Sequence, residues 1–187
     1  MTNFKFSKTS LSNLKIISRQ YKNDTRGYLT RLFCQDELIK KKYINNIKQI
    51  NLTLTSKKNT LRGFHYQIKP FCETKYVTCI KGKVLDIVID LRKKSKTFLK
   101  YHSEIIKEDD CKTILIPKGF AHGFLTLEDN CKLLYFHTAN YKPKYERGIN
   151  FKDPILKLKL KLKPKYISER DKNFPLLDNK FKGIEIK

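Results

Sequence analysis

Residues 76–91 read YVTCIKGKVLDIVIDL, and this stretch carries the signal that decides the fold. Two runs of β-branched and aliphatic residues flank a Lys81-Gly82 turn signal, which is typical of two strands joined by a short connection. In the second run, alternation gives one face Leu85, Ile87, Ile89 and Leu91, and the other face Val84, Asp86, Val88 and Asp90. We expect the aliphatic face to pack in the core. The two carboxylates then point either to water or into a polar cavity, and periodicity alone favours water.

Similar short apolar runs, separated by turn signals, recur along the chain, and they predict strands at 14–17, 28–33, 47–55, 76–80, 84–91, 113–116, 120–127 and 131–138. The sequence predicts only one convincing short helix, at residues 34–42. This rhythm predicts an all-β sandwich or barrel, organised as one domain over residues 1–187 with its core at about 10–178. Residues 156–163, LKLKLKLK, predict a half-buried strand or an extended strap that ends at Pro164.

The chain is strongly basic, with 41 Lys and Arg residues against 18 acids among 187 residues and a formal net charge of +23. Only seven of the basic residues are Arg, and the Lys residues are spread over the whole sequence, which favours a solvated surface over a nucleic-acid groove. A positive field still suits an anionic small-molecule substrate. No apolar run is long enough to span a membrane, and the N-terminus lacks the apolar stretch of a secretory signal.

The five cysteines predict free thiols. They are odd in number, no C-x-x-C pair occurs, and so neither a disulfide framework nor a zinc knuckle is supported. Mostly buried thiols in a reducing compartment fit best, and we expect a cytoplasmic protein.

Two of the four histidines lie in suggestive contexts. His122 belongs to IPKGFAHGF at 116–124, where P-x-G-x-x-H is one half of the cupin signature and predicts a histidine that points into a barrel. His65 lies in TLRGFHYQ at 60–67, and Gln67 stands where metal cupins carry a second histidine, so we expect no metal and no cofactor. Histidines that merely satisfy backbone groups are the alternative. His102 and His137 have no such context and are interpreted as ordinary surface or core residues.

An ordered set of motifs resembles the nucleotide-sugar 3,5-epimerases typified by dTDP-4-dehydrorhamnose 3,5-epimerase, a family in the cupin superfamily. The motifs follow the family's order and approximate spacing over about residues 10–178. They are DTRGY at 24–28, NLTLT at 51–55, GFHYQ at 63–67, KYV at 75–77, DIVIDLR at 86–92, the turn at 117–124, LYF at 134–136, DP at 153–154 and SERD at 168–171. The resemblance implies a double-stranded β-helix, that is, a cupin or jelly-roll barrel with short peripheral helices.

The resemblance also implies a reaction. The family acts on a nucleotide-linked 4-keto-6-deoxyhexose, whose ketone acidifies the protons at C3 and C5, so that a base forms an enolate and an acid returns a proton to the opposite face. In this chain His65 corresponds to the base, Asp171 to its carboxylate partner and Tyr135 to the acid. Lys75 corresponds to the cation near the keto oxygen.

Further positions correspond to substrate contacts in the family. Arg62 and His122 match residues near the sugar, and the other substrate-binding positions implied by the resemblance are Arg26, Gln49, Asn51 and Tyr141. Arg26 and Gln49 match contacts to the nucleotide and diphosphate, and Arg26 is expected to reach a neighbouring subunit. The resemblance therefore implies a homodimer that binds a nucleotide-diphosphate 4-keto sugar, without a specific nucleic acid or membrane partner.

Two departures from the family pattern concern specificity. The family usually has Trp-Pro after the Asp-Pro turn, whereas this chain has no Trp, and Leu160-Lys161 stand near that point. Arg31 stands where related enzymes often carry an acid near the base. The alternatives are a nucleotide-sugar-binding cupin without turnover, a nucleic-acid binder and a metal-dependent cupin enzyme, and the residues leave open whether C3, C5 or both are inverted.

Overall fold

The computed structural model describes residues 4–43, 46–160, 162–178 and 180–186. Strands dominate these ranges, with two short α-helices and 3₁₀ turns at Glu108–Asp110, Pro143–Tyr145 and Pro154–Leu156. The strands are Lys5–Lys8 (β1), Lys15–Ser18 (β2), Lys22–Asp24 (β3), Gly27–Leu29 (β4), Gln49–Thr55 (β5), Thr60–Gln67 (β6), Lys75–Lys81 (β7), Lys83–Asp90 (β8), Tyr101–Lys107 (β9), Lys112–Ile116 (β10), Phe120–Thr126 (β11), Cys131–His137 (β12), Glu146–Gly148 (β13) and Tyr166–Ile167 (β14). The helices are Gln35–Lys40 (α1) and Glu169–Lys172 (α2).

Two large sheets contain all the strands except β3 and β4, which pair only with each other. The first sheet has the order β1-β2-β10-β7-β12-β5, and the second has the order β13-β6-β11-β8-β9, with β14 parallel to β6. From β5 to β12 the chain passes repeatedly from one sheet to the other, which is the connectivity of a double-stranded β-helix. The prediction of an all-β barrel of this type is confirmed.

Three buried clusters show where the core lies. The largest contains side chains of both sheets, such as Val77 and Leu133 from the first and Val88 and Phe124 from the second, so it fills the space between them. A second cluster covers the outer face of the second sheet with segments that follow β13, and a third covers the outer face of the first sheet with α1. Each fully buried aliphatic side chain contributes about 1.5–3 kcal/mol to stability.

Strand β8 is buried on both faces, contrary to the expectation that Asp86 and Asp90 face water. Ile87 and Ile89 pack in the outer cluster, while Val84 and Val88 pack between the sheets. Asp86 and Asp90 are therefore 1% and 0% exposed. The prediction was wrong because Asp86 and Asp90 share the face of Val84 and Val88, which points between the sheets and brings Asp86 to His122. The segments after β13 cover the opposite, aliphatic face.

Most predicted elements occur close to their expected positions, with two exceptions. The strand predicted at 28–33 is limited to β4, and the chain leaves the β3–β4 hairpin after Leu29. The described part of 156–163 contains no strand, although Leu158 and Leu160 pack on the outer cluster as an extended strap would; Lys161 lies outside the described residues. The five cysteines are free, as predicted, and four of them are buried. In the described ranges no helix has the length and hydropathy needed to cross a membrane.

Candidate active site

A cavity of about 610 Å³ opens between the two sheets and is lined by polar side chains from both. His65 and Arg62 come from β6 in the second sheet, whereas Lys75 on β7 and Tyr135 on β12 come from the first. Strand alternation explains this arrangement, because inward-facing residues recur at every second position. The same faces that build the core between the sheets thus also supply the groups that line the cavity.

Two glycines hold β6 and β11 unusually close beneath the cavity. Gly63 adopts φ +137°, and a Cβ on it would lie 2.5 Å from Gly123 Cα in the neighbouring strand. Only glycine combines that backbone conformation with so short an approach. The strands are paired with His65 opposite His122, so both imidazoles belong to one wall of the cavity.

His65 and Asp171 form a hydrogen-bonded pair. His65 Nε2 lies 2.9 Å from Asp171 Oδ1, and the other carboxylate oxygen accepts the Gly63 N–H at 3.0 Å. Strand β14 runs beside β6 and leads into α2, whose start is capped by the Ser168 hydroxyl; this brings residue 171 to residue 65. Burial raises the pKa of Asp171, but hydrogen bonding and charge at His65 and the Gly63 N–H outweigh it and lower that pKa to about 2.

The second imidazole of this wall has its own carboxylate. His122 Nε2 lies 2.7 Å from Asp86 Oδ2, and both side chains are almost completely buried. The ring centroid of His122 lies 6.1 Å from that of Tyr135 on the opposite sheet. The alternative of a histidine that merely satisfies a backbone group therefore does not describe His122.

The opposite wall carries Tyr135 beside an ion pair. Lys75 Nζ lies 3.3 Å from Glu73 Oε1, and Glu73 Oε2 lies 2.8 Å from His137 Nδ1. The rings of Tyr135 and His137 stack at 5.8 Å with an angle of 17° between their planes. Burial, with a smaller effect of the Asp86 carboxylate, raises the pKa of Tyr135 far above its usual value, so its phenol stays protonated.

Polar side chains surround the open end of the cavity. Gln49 and Asn51 on β5 are hydrogen-bonded to each other at 3.1 Å, and Gln49 also accepts the backbone N–H of Tyr141. The Tyr141 hydroxyl donates to Glu146 at 2.9 Å. These three predicted residues line the cavity, together with the six described above: Arg62, His65, Lys75, His122, Tyr135 and Asp171.

Arg26 does not reach this cavity within the chain. It lies in the β3–β4 hairpin, pairs with Asp24 at 2.6 Å, and its side chain is 87% exposed. Arg31, the departure noted in the sequence, lies outside the cavity lining and pairs with Glu37 at 3.5 Å.

Sequence reasoning missed several residues of the cavity. His137 was interpreted as an ordinary surface or core residue, which was wrong; its spacing of two from Tyr135 on one strand was a usable signal, since such residues share a face. Arg170 pairs with Glu146 at 3.0 Å, and its proximity to Asp171 in SERD could have indicated it. Glu73 and Glu146 carried no comparable signal, because each precedes a strand or begins a short one.

No metal centre stands out. In the described ranges no group of three or more His, Cys, Asp or Glu side chains has a geometry that could hold a metal ion. His65 and His122 are each directed at a carboxylate instead. The arrangement offers proton-transfer groups on both sides of a cavity and an ammonium beside them.

Known proteins are similar to this chain in sequence and in fold. A family model described as dTDP-4-dehydrorhamnose 3,5-epimerase matches residues 8–179. The enzyme of that name from Methanothermobacter thermautotrophicus is 34% identical over 188 residues, which cover 96% of this chain and 98% of the relative. The one from Sinorhizobium fredii is 31% identical over 173 residues, covering 92% and 89%.

A solved structure agrees with these relatives. The crystal structure of dTDP-6-deoxy-D-glucose-3,5-epimerase from Legionella pneumophila, in complex with dTDP-4-keto-L-rhamnose, has a TM-score of 0.90 and 28% identity. The similarity covers 99% of this chain and all of that one. Because the family model and both relatives span nearly the whole sequence, this chain belongs to the dTDP-4-dehydrorhamnose 3,5-epimerase family.

Proposed function

We propose that this protein inverts C3, C5 or both of a nucleotide-linked 4-keto-6-deoxyhexose through an enolate, without a metal or cofactor. Membership of the family supplies the reaction type. The observation that carries the proposal is that an imidazole and a phenol line one cavity from opposite sheets. A base on one side of a sugar ring and an acid on the other are what inversion at a carbon next to a ketone requires.

His65 acts as the base. His65 Nε2 lies 2.9 Å from Asp171 Oδ1 and 3.1 Å from Arg170 Nη2, a donor. We assign the Nε2 proton from the shorter contact, because a carboxylate only accepts hydrogen bonds, and this leaves the Nδ1 lone pair free for the substrate. Asp171 then stabilises the imidazolium that forms when the substrate proton arrives. His122 and His137 suit this role less well, since both side chains are more deeply buried than that of His65.

Tyr135 acts as the acid, and Lys75 stabilises the enolate oxygen. The raised pKa keeps the phenol protonated until the enolate draws on it. The Lys75 side chain is only 12% exposed, and an ammonium held in such a site stabilises developing negative charge by several kcal/mol. Arg62 and His122 contact the sugar in this proposal.

The nucleotide occupies the open end of the cavity, near Gln49, Asn51 and Tyr141. Arg26 is supplied to the diphosphate by a neighbouring subunit, since its side chain is exposed and its hairpin contributes no residue to the lining of its own cavity. We therefore propose a homodimer, and an exposed apolar row on edge strand β5 supports it. The row consists of Ile50, Leu52 and Leu54, each more than half exposed. The free cysteines fit a cytoplasmic location.

The test is an isotope experiment with dTDP-4-keto-6-deoxyglucose in deuterium oxide. We expect solvent deuterium at C3, C5 or both, and we expect His65→Ala to abolish it. His102→Ala is the matched control, because His102 lies on β9 outside the cavity and contacts Ser10. Absence of exchange with every 4-keto nucleotide sugar tested would refute the enzyme, and binding heat without exchange would favour the non-catalytic cupin instead.

A further inference from the structure

Glu73 lies between two groups of the cavity wall that the proposed reaction needs in fixed positions. One carboxylate oxygen contacts Lys75 Nζ at 3.3 Å and the other contacts His137 Nδ1 at 2.8 Å. The carboxylate is only 8% exposed. The backbone beside it is held by two hydrogen bonds between Thr74 and Thr138, at 2.8 and 3.1 Å, which tie the start of β7 to the end of β12.

A directed chain of hydrogen bonds connects this carboxylate to the open end of the cavity. The backbone N–H of Tyr141 donates to Gln49 Oε1 at 3.0 Å, which leaves Gln49 Nε2 to donate to Asn51 Oδ1 at 3.1 Å. Asn51 Nδ2 is then directed at His137 Nε2, 3.5 Å away. Because a backbone N–H can only donate, it fixes the orientation of both amides along the chain.

The direction of this chain determines the protonation state of His137. Its Nε2 faces a donor and must therefore carry a lone pair, so the ring proton is on Nδ1 and is donated to Glu73. Turning the Asn51 amide around would also require the Gln49 amide to turn, and would set two donors against each other at Tyr141. The imidazole is therefore neutral, and the negative charge of Glu73 is left to balance Lys75.

We propose that Glu73 and His137 are positioning residues, which hold Lys75 charged and in place and fix the ring plane of Tyr135. This inference rests on the proposed function, because Lys75 and Tyr135 act on the substrate and the other two act through them. An ammonium buried in a cavity keeps its proton only when a partner compensates for lost hydration. His137 stacks on Tyr135 at 5.8 Å, so the hydrogen bond to Glu73 also restrains the phenol.

The electrostatics of Glu73 agree with this assignment. Burial raises the pKa of its carboxyl, but the Lys75 ammonium, and after it the interactions with His137, outweigh burial and hold that pKa below its usual value. Glu73 is thus ionised near neutral pH. A neutral amide in its place would keep the shape of the side chain but lose the charge that both neighbours use.

Spectroscopy on the whole protein tests the hydrogen-bond chain without using activity. In ¹⁵N NMR of the four imidazoles, assigned for His137 by comparison with His137→Gln, we expect the neutral Nδ1–H tautomer near neutral pH. In Glu73→Gln that signature shifts, because the proton loses its charged acceptor. An Nε2–H tautomer or an imidazolium at His137 in the unmodified protein would overturn the chain.

Kinetics test the positioning role. Glu73→Gln should lower kcat about 10- to 100-fold, the range of a lost charge-assisted hydrogen bond, with little change in KM. The matched control is Glu104→Gln, since Glu104 also lies between a lysine and a histidine, Lys112 at 2.7 Å and His102 at 3.8 Å, but outside the cavity. His137→Gln should lower kcat in the same direction and serves as the second variant if Glu73→Gln does not fold.

The outcomes separate this inference from the proposed function. If the unmodified protein catalyses exchange and folded Glu73→Gln retains its kcat and KM, the positioning role is wrong and the epimerase remains. If the unmodified protein catalyses no exchange, the proposed function fails and the positioning role fails with it. The NMR result then still decides whether His137 is the neutral donor to Glu73.

Discussion

Replacing Asp171 by asparagine disturbs three hydrogen bonds that converge on one carboxylate. Its Oδ2 accepts the Gly63 N–H at 3.0 Å, and its Oδ1 lies 2.9 Å from His65 Nε2 and 3.3 Å from Arg170 Nε. Asparagine has nearly the same shape but offers one oxygen and one NH₂ group. In either orientation a donor of the protein faces a donor of the amide. With the oxygen towards Gly63 the imidazole must move its proton to Nδ1, the atom proposed to act as the base.

The expected loss is about three orders of magnitude in kcat, from two contributions. An unsatisfied buried donor costs about 1–3 kcal/mol. The carboxylate's preference for its charged form, seen in a pKa lowered from 3.8 to about 2, corresponds to about 2 kcal/mol that the imidazolium no longer receives. Together these amount to roughly 3–5 kcal/mol, and each 1.4 kcal/mol is a factor of ten in rate.

The assay is deuterium exchange into the 4-keto sugar under saturating substrate, with thermal unfolding measured in parallel. Glu169→Gln is the matched control, since it makes the same chemical change two residues earlier on α2, where the side chain is 79% exposed and pairs with Lys172. It should retain wild-type exchange. If folded Asp171→Asn stays within tenfold of the unmodified protein, Asp171 does not set the tautomer of His65, and the assignment of the base must be abandoned.

Three further outcomes are expected. Tyr135→Phe should still exchange substrate protons with solvent but should form the inverted sugar about 10² to 10⁴ times more slowly, as ¹H NMR would reveal; equal rates would remove Tyr135 as the acid. Because the folded-state pKa of Asp171 lies below its unfolded value, this carboxylate stabilises the fold by about 2 kcal/mol above pH about 4, and the stabilisation is lost as pH falls towards about 2. The free energy of unfolding, measured with urea at both ends of this window, should therefore fall less in Asp171→Asn than in the unmodified protein. Gly63→Ala should destabilise the fold by at least about 2 kcal/mol more than Gly27→Ala. Gly27 is the control because it has a similar φ of +133° but no atom within 4 Å of an added Cβ. Similar melting temperatures of the two variants would contradict the close approach of β6 to β11.

The strands could be predicted from the sequence because their signals are local. Alternation and turn residues depend on neighbours along the chain, and they placed a strand over nearly all of β8 and β11. The environment of each face could not be predicted in the same way. Whether Asp86 meets water depends on which face of β8 points between the sheets, and the aliphatic face is turned outward, where segments more than 50 residues later in the sequence cover it.

The residues of the candidate site could likewise be predicted only where their signal is local in the sequence. His65 and His122 stand out because each lies in a short motif around a glycine, and both line the cavity. Glu73 is different, because its place in the site depends on a hydrogen bond to His137, 64 residues away in the sequence. The two residues become neighbours only when β7 pairs with β12. A carboxylate that strand pairing brings to a histidine leaves no periodic pattern in the sequence. Sequence reasoning therefore named His122 as a site residue without its partner Asp86, and missed both His137 and Glu73.

The cavity lining has a different charge balance from the rest of the chain. The cavity lining carries three cations and three carboxylates, which are Arg62, Lys75, Arg170, Glu73, Glu146 and Asp171. The net charge of +23 therefore lies outside the cavity, where it acts on an anionic nucleotide at long range. Inside the cavity, Lys75 and Arg170 are paired with carboxylates. No carboxylate in the described part of the chain lies within ion-pair distance of Arg62. Its Nε donates to the Thr55 hydroxyl at 2.9 Å instead. In the proposed reaction Arg62 is thus the cation whose charge remains available to substrate, and the paired cations keep fixed positions while charge develops beside them.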